Sequence, residues 1–277
     1  MHVISAGELR SVLHYRMLIE RLRQAFRAGC ALPPAPSYAV PTYGAHDATL
    51  TLRPAWVQGR HIGVMVETRF PGNPRRDLPA TTGCYLLLDG KTGTALAVLD
   101  AKGLITQRTA AAAALAASYL ARPDAGRLLV IGTGALAAHL IEAYSVALPI
   151  RQVLVWGRDA AKAERIAARF RRGKIKVNAT DDLEGAVRGA EIIATATAAA
   201  GPVLRGGWLQ PGTHIDLIGS VTPEAREADD EVIRRGRIFV DSRERAPVES
   251  GDLVQPLAAG VLGGDDIAGD LFDLARG

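Results

Sequence analysis

The stretch Arg127-Leu128-Leu129-Val130-Ile131-Gly132-Thr133-Gly134-Ala135-Leu136-Ala137 decides the fold of this chain. Its apolar run ends at a glycine, and an alanine-rich stretch follows to about Ala147, which predicts a buried strand, a tight turn and a helix. Gly132, Gly134 and Ala137 occupy the three small positions of the G-x-G-x-x-G/A pattern. Such glycines let main-chain N–H groups approach a pyrophosphate at the positive end of a helix. The stretch therefore predicts a dinucleotide site, although glycines also end strands for purely structural reasons.

The residues that follow alternate between strand and helix, as a parallel sheet requires. A second apolar run at 153–156 comes one helix later and ends in Gly157-Arg158-Asp159. Helices are predicted at 160–170 and 182–188, and further strands near 175–177 and at 191–197, 213–220 and 237–241.

The first half of the chain has a different pattern. Ser5, with Glu8 three residues on, predicts the start of a helix, and apolar residues at helical spacing predict a second helix over 14–28. The proline-rich stretch 32–43 must be irregular or an edge. Strand-like runs follow at 47–53, 62–70, 84–88 and 95–99, separated by turn residues, and predict a mostly antiparallel sheet. Residues 104–121 are almost all alanine and leucine and predict a long buried helix.

Composition limits the function classes. At 277 residues and 48% hydrophobic content, the chain is long enough for two domains with full cores. Its net charge of +4 is too diffuse for a nucleic-acid surface, and no apolar run reaches the length of a membrane span. Cys30 and Cys84 are far apart, which indicates buried free thiols in a reducing compartment, so the cytoplasm is expected. No two histidines have i, i+4 spacing, so we predict no metal site.

In combination, these motifs resemble the ornithine cyclodeaminase/mu-crystallin family of NAD(P)-dependent enzymes. The resemblance is carried by the glycine stretch and by five further segments: 70–74 with Leu78-Pro79, 106–111, Thr195-Ala196-Thr197, Gly219-Ser220 and 249–253. It implies an α/β fold, with a Rossmann dinucleotide-binding domain and a discontinuous α+β substrate and dimerisation domain. The expected boundaries are 1–121 for substrate binding and dimerisation, 122–245 for the Rossmann domain, and 246–277 for a C-terminal return to the first domain that is shorter than in relatives.

The resemblance also implies an activity. Family enzymes pass hydride between nicotinamide and the carbon that lies between a nitrogen and a carboxylate. We therefore expect an NAD(P)H-dependent imine reductase or amino-acid dehydrogenase acting on a small 2-imino or 2-oxo acid. The alternatives are an ornithine or lysine cyclodeaminase and a non-catalytic, NADP-binding protein of the crystallin type. A homodimer is expected, with the interface in residues 47–99.

Two residues are implied as catalytic. Arg108 would clamp the substrate carboxylate, which suits a guanidinium because it can make a bidentate, charge-assisted pair. It could instead bond a neighbouring carbonyl or a cofactor phosphate. Asp252 matches the family's aspartate near the reacting nitrogen, where it would exchange a proton or hold a cationic intermediate. Its alternative role is a helix N-cap after Gly251.

The chain departs from the family where a lysine usually stands before the Pro-Gly-Asn turn, because that position is Met65. Strand period places Met65, Glu67 and Arg69 on one face, and Thr49, Thr51 and Arg53 on one face of the neighbouring strand. We predict that Arg53, Met65, Glu67 and Arg69 line the substrate pocket. In the alternative, the two arginines lie at a solvent-facing edge, paired with Glu67.

The expected cofactor is NADP(H), with NAD(H) as the alternative. Arg158 follows the second Rossmann strand, where an arginine can receive a 2′-phosphate. Asp159 contributes to this position or caps the next helix. The other expected cofactor residues come from the long helix, the glycine stretch and the two strand ends: Thr106, Thr109, Gly132, Thr133, Gly134, Ala135, Leu136, Ala137, Thr195, Ala196, Thr197, Gly219 and Ser220.

Overall fold

The structure is a computed structural model and describes residues 1–42 and 47–277. Contacts divide the chain into two units. The first contains Met1–His14 and Ala28–Arg108, and the second contains Tyr15–Arg27 and Thr109–Gly277. This division differs from the expected boundaries because residues 15–27, 109–121 and 246–277 all lie in the second unit. The functions assigned to the expected domains stay predictions. Residue 43, at the end of the predicted proline-rich stretch, lies outside the described residues.

A six-stranded sheet forms most of the first unit. Its elements are β1 (His2–Ile4), α1 (Ala6–Val12), β2 (Ser37–Val40), β3 (Ala48–Val57), β4 (His61–Arg69), a 3-10 turn (Asn73–Arg76), β5 (Thr81–Asp89) and β6 (Ala95–Asp100). The strand order is β1-β6-β5-β4-β3-β2. β1 pairs in parallel with β6, and the other pairs are antiparallel, as the spacing of the short strands predicts. The predicted capping box of Ser5 and Glu8 begins α1.

β3 continues past Pro54, where the sequence predicts that the strand has ended. The N–H groups of Leu52 and Trp56 bond to Pro36 and Ala31 on one side of β3. Pro54 lies between these two residues on the same side of β3. The hydrogen bonds on that side are made without a donor at position 54. A proline is tolerated at such a position because it removes no ladder bond.

The second unit contains the predicted parallel sheet. Its first elements are α2 (Tyr15–Ala28) and most of α3 (Ala101–Leu120), followed by β7 (Arg127–Ile131), α4 (Leu136–Ala147), β8 (Gln152–Trp156), α5 (Ala160–Ala168), β9 (Lys176–Thr180), α6 (Leu183–Gly189), β10 (Ile192–Thr195) and β11 (His214–Leu217). The sheet order is β11-β10-β7-β8-β9, with every pair parallel. Numbered along the chain, this order is 3-2-1-4-5, that of a Rossmann sheet without its sixth strand.

The remaining elements pack beside this sheet: α7 (Asp230–Arg235), β12 (Ile238–Val240), α8 (Ala246–Glu249), α9 (Gly251–Ala258), β13 (Ile267–Asp270) and α10 (Leu271–Arg276). The prediction that 237–241 ends the parallel sheet is wrong, because β12 pairs with β13 in a separate two-stranded sheet. The partner strand is only four residues long and contains a glycine, so its sequence gives little strand signal.

Small side chains let the helices of the second unit pack closely. Ala110, Ala111, Ala114 and Ala117 of α3 are fully buried in one cluster with residues of α4 and the sheet. The apolar stripe of α2 joins this cluster, which places α2 in the second unit. Neither Cys30 nor Cys84 is in a disulfide, but the prediction that they are buried is wrong for Cys30, which is exposed, whereas Cys84 is half-buried. Among the described residues, no helix has the length and apolar character to cross a membrane.

Candidate active site

The glycine turn after β7 has the geometry of a phosphate-binding loop. Gly132 has a φ of +129°, and a Cβ there would overlap the Ala196 carbonyl oxygen. Gly134 is exposed, and a Cβ there would meet no atom within 4 Å. Ala135 is the N-cap of α4 and makes no side-chain cap bond. The Ala137 N–H donates to the Gly134 carbonyl at 3.2 Å, and the other N–H groups of this first turn can face an anion. Gly132 is thus required by the protein's own packing, whereas the space beside Gly134 is open.

The end of β8 carries the residues expected to read the ribose. Asp159 is the N-cap of α5 and accepts a hydrogen bond from the Lys162 N–H at 3.1 Å, which confirms its capping role. Arg158 is exposed and, within 1–42 and 47–277, has no ion-pair or hydrogen-bond partner. The Arg158 guanidinium is therefore available to bind a ligand beside β8.

A buried glutamate that sequence reasoning missed joins the ends of β10 and β11. Glu227 is 1% exposed. Its Oε2 accepts from Thr195 Oγ1 and from the Gly219 N–H, both at 2.6 Å. Its Oε1 accepts from the N–H and Oγ1 of Thr197 at 2.6 and 2.7 Å. The structure thus brings the predicted cofactor residues Thr195, Thr197 and Gly219 together around one carboxylate.

Asp252 is not the N-cap of α9. Ser250 holds that position, and Asp252 is the second residue of the helix and 2% exposed. Its Oδ1 accepts from the N–H groups of Glu227 and Ala228, both at 3.0 Å, which satisfies donors in the loop before α7. Its Oδ2 is buried without a partner among the described residues. Burial raises the pKa of this carboxyl, despite the two N–H groups that lower it.

Ser220 joins Asp252 to the loop after β11. Its hydroxyl accepts from the Asp252 N–H at 2.9 Å and donates to the Ala225 carbonyl at 2.8 Å. The Ser220 hydroxyl therefore acts as both a donor and an acceptor of hydrogen bonds within the protein. The expected approach of Ser220 to a cofactor stays a prediction.

The predicted substrate face of the first unit is in register. Arg53 lies opposite Met65, Thr51 opposite Glu67, and Thr49 opposite Arg69. Arg53, Met65 and Glu67 are half-buried, whereas Arg69 is exposed. Sequence reasoning missed Tyr85, which lies opposite Met65 on β5 and whose ring crosses Gly63. Burial raises the pKa of Tyr85, so the phenol remains a hydrogen-bond donor at neutral pH.

Arg108 and its neighbours lie on α3. Arg108 is exposed, and the Thr106 hydroxyl donates to the Lys102 carbonyl of the same helix at 2.7 Å. Gln107, between them, is 4% exposed, and its Oε1 has no partner in the described part of the chain. The predicted roles of Arg108, Thr106 and Thr109 toward ligands stay predictions.

Comparison with known proteins agrees with this geometry. Residues 3–277 match the ornithine cyclodeaminase/mu-crystallin family. The chain belongs to that family. A Delta(1)-pyrroline-2-carboxylate reductase from Paracoccus denitrificans is 39% identical over 274 residues, which cover 99% of this chain and 85% of the relative. Rat ketimine reductase mu-crystallin is 32% identical over 238 residues, covering 86% of this chain and 69% of the relative.

Solved structures of the ornithine cyclodeaminase/mu-crystallin type also superpose closely. The Thermococcus litoralis Delta(1)-pyrroline-2-carboxylate reductase, in complex with NADH and L-proline, gives a TM-score of 0.91 at 28% identity and covers 99% of this chain and 86% of its own. An archaeal alanine dehydrogenase dimer with bound NAD gives 0.90 at 26% identity, covering 100% and 85%. The α/β fold with a Rossmann unit is confirmed, and the chain is an NAD(P)-dependent oxidoreductase of this family.

Proposed function

We propose that this imine reductase acts on a small cyclic 2-imino acid of the Δ1-pyrroline-2-carboxylate class. The observation that carries the proposal is the match, over 99% of the chain, to a reductase of that name. The open N-terminus of α4 behind Gly132 and Gly134 supports it because a dinucleotide pyrophosphate fits there. A bound reduced nicotinamide supplies the hydride.

Arg108 is the proposed clamp for the substrate carboxylate. It is exposed on α3, and a guanidinium can bind a carboxylate through two parallel hydrogen bonds. Arg53, Met65, Glu67 and Arg69 are the proposed substrate face, and Tyr85 adds a phenol opposite Met65. Because Met65 replaces the lysine that the family resemblance implies, the polar contacts of this face must come from its other members.

Asp252 is the proposed holder of the proton that imine reduction consumes. Its raised pKa favours the protonated form, and its Oδ2 is the buried oxygen without a partner in 1–42 and 47–277. Because the side chain is only 2% exposed, this role requires that substrate or water reach Oδ2 during turnover.

The preferred cofactor is proposed to be NADP(H), because Arg158 stands exposed after β8 while Asp159 is used as the helix cap. The relatives' structures hold NADH or NAD, so the assay must compare both cofactors. We expect the KM for NADPH to be the lower of the two, and a preference for NADH would overturn this part.

The deciding experiment measures nicotinamide absorbance on mixing the enzyme with NADPH or NADH and Δ1-pyrroline-2-carboxylate. We expect stoichiometric cofactor oxidation and formation of proline. Pyruvate with methylamine tests an acyclic imine. Ornithine tests cyclodeamination, which would release ammonia with no net change in absorbance. Tight cofactor binding without turnover of any of these substrates would overturn the proposal in favour of a non-catalytic binding protein.

The assembly is proposed to be a homodimer in the cytoplasm. The archaeal alanine dehydrogenase is described as a dimer, and two cysteines outside any disulfide suit a reducing compartment.

A further inference from the structure

The Glu227 carboxylate is buried and accepts hydrogen bonds on both of its oxygens. It accepts from two N–H groups and two hydroxyls, all within 2.7 Å. Among the described residues, no lysine, arginine or histidine pairs with it. A buried carboxylate without a cation is costly unless its oxygens are fully hydrogen-bonded, so these four donors must stay in place to keep it there.

The donors come from the two places where neighbouring parallel strands end. Thr195 is the last residue of β10, Thr197 follows that strand, and Gly219 follows β11. The crevice outside the carboxyl ends of parallel strands is where Rossmann folds bind their ligands. The fit is close, because a Cβ on Gly219 would overlap the Thr197 carbonyl oxygen. One side chain therefore sets the distance between two loops at the ligand edge of the sheet.

The main chain of Glu227 makes a second connection. Its N–H donates to Asp252 Oδ1, and its carbonyl accepts from the N–H groups of Val203 and Leu204. The side chain thus fixes the strand ends while the backbone of the same residue fixes the proposed proton-holding acid. Any shift of Glu227 moves both.

We propose that Glu227 is a positioning residue for the reaction: it holds the Thr197 and Gly219 loops and Asp252 in the arrangement that the cofactor and imine require, without contacting either. This inference rests on the proposed function. It predicts an effect on cofactor affinity and turnover that loss of stability alone does not produce.

Glu191 provides a matched control, because it makes the same kind of contact at the opposite end of the sheet. It accepts from the N–H groups of Gly126 and Arg127 at 2.9 and 3.0 Å and pairs with Arg122 at 3.0 Å. These donors lie at the amino ends of the strands, away from the edge where Rossmann ligands bind. Both glutamates therefore join strand ends, but only one is at the ligand edge.

The test compares Glu227→Gln with Glu191→Gln in the full chain. In Glu227→Gln an amide nitrogen replaces one oxygen, so either Gly219 or Thr197 loses its main-chain acceptor. We expect kcat with Δ1-pyrroline-2-carboxylate to fall about 100-fold, since misplacement of about 1 Å costs that much. The NADPH dissociation constant, measured by fluorescence, should rise about ten-fold. In Glu191→Gln both should stay within about two-fold, even where thermal unfolding shows that this variant is destabilised.

A second pair of variants keeps the proposal testable where Glu227→Gln does not fold. Thr197→Val removes one donor to Glu227 at constant size, and Thr197→Ser keeps it. Weaker NADPH binding in Thr197→Val with recovery in Thr197→Ser supports positioning. Wild-type binding and kcat in Glu227→Gln or Thr197→Val, with only the melting temperature lowered, would overturn it. Cofactor affinity is measured without substrate. An error in the proposed substrate therefore does not affect the comparison of NADPH dissociation constants.

Discussion

At the scale of single residues, the two glycines of the turn after β7 have different roles. Gly132 is required for folding, and Gly134 is proposed to be required for cofactor binding. Gly132 has a positive φ, and a Cβ there overlaps Ala196, so Gly132→Ala should destabilise the fold by about 1–3 kcal/mol. Gly134→Ala meets no protein atom and should leave the melting temperature unchanged. It should raise the NADPH dissociation constant about ten-fold, because the added methyl group occupies the space proposed for the cofactor phosphates. Wild-type affinity in Gly134→Ala would show that the phosphates do not approach there.

Asp252→Asn tests the buried acid. The amide oxygen still accepts from Glu227 and Ala228, and the amide nitrogen replaces an oxygen that lacks a partner in the described chain, so the fold should persist. We expect kcat to fall by about 10²–10⁴ with NADPH affinity unchanged.

A carboxyl whose folded pKa is raised stabilises the fold only while protonated, and this contribution is lost as pH rises through that pKa. The variant should therefore gain stability over wild type as pH rises above about 4, the ordinary aspartate pKa, in denaturant titrations. Equal stability differences across that range would contradict the pKa direction.

At the scale of elements, α4 is tied to the edge strand β11 by a buried polar contact. The Tyr144 hydroxyl donates to Asp216, and His214 Nε2 lies 2.9 Å from the same carboxylate oxygen. Burial, followed by the charge of Asp216, raises the pKa of Tyr144 well above its usual value, so the phenol stays a donor. Tyr144→Phe should lower the free energy of unfolding by about 1–3 kcal/mol in denaturant titrations, because the carboxylate loses a donor. Tyr38→Phe, at an exposed tyrosine, should change nothing measurable.

Most elements could be predicted from the sequence, because periodicity and caps are local. The capping box at Ser5, the Asp159 cap and the strand–turn–helix at Gly132 are all confirmed. The failures have non-local causes. β12 pairs with a strand near the end of the chain. β3 continues through Pro54 because the hydrogen bonds on that side of the strand come from Leu52 and Trp56. Glu227 was missed because it lies in a charged run typical of solvated surface, whereas its partners lie 8 to 32 residues away.

At the scale of the whole molecule, family membership decides the broad activity, and the proposed substrate face carries the main local departure from the family pattern. The residues that a Rossmann unit needs are present around Gly132, Thr197 and Gly219. On the sheet of the first unit, Met65 replaces the lysine that the family resemblance implies. We therefore expect variants of the proposed substrate face in the first unit to change the KM for the imine, and variants of the glycine turn after β7 to change cofactor affinity.

The assembly gives the last prediction. The first unit exposes apolar side chains at the end of β3, with Trp56 41% and Val57 37% exposed. Their side chains point to opposite faces of the sheet, because successive residues of a strand alternate. We expect light scattering to report a dimer at micromolar concentration, and Trp56→Glu or Val57→Glu to shift it to monomer, since a buried unpaired charge opposes association. Val146→Glu is the control, because Val146 has similar exposure, 41%, on α4 of the second unit. A monomeric wild type would contradict the dimer, and dissociation by Val146→Glu alone would place the interface outside residues 47–99.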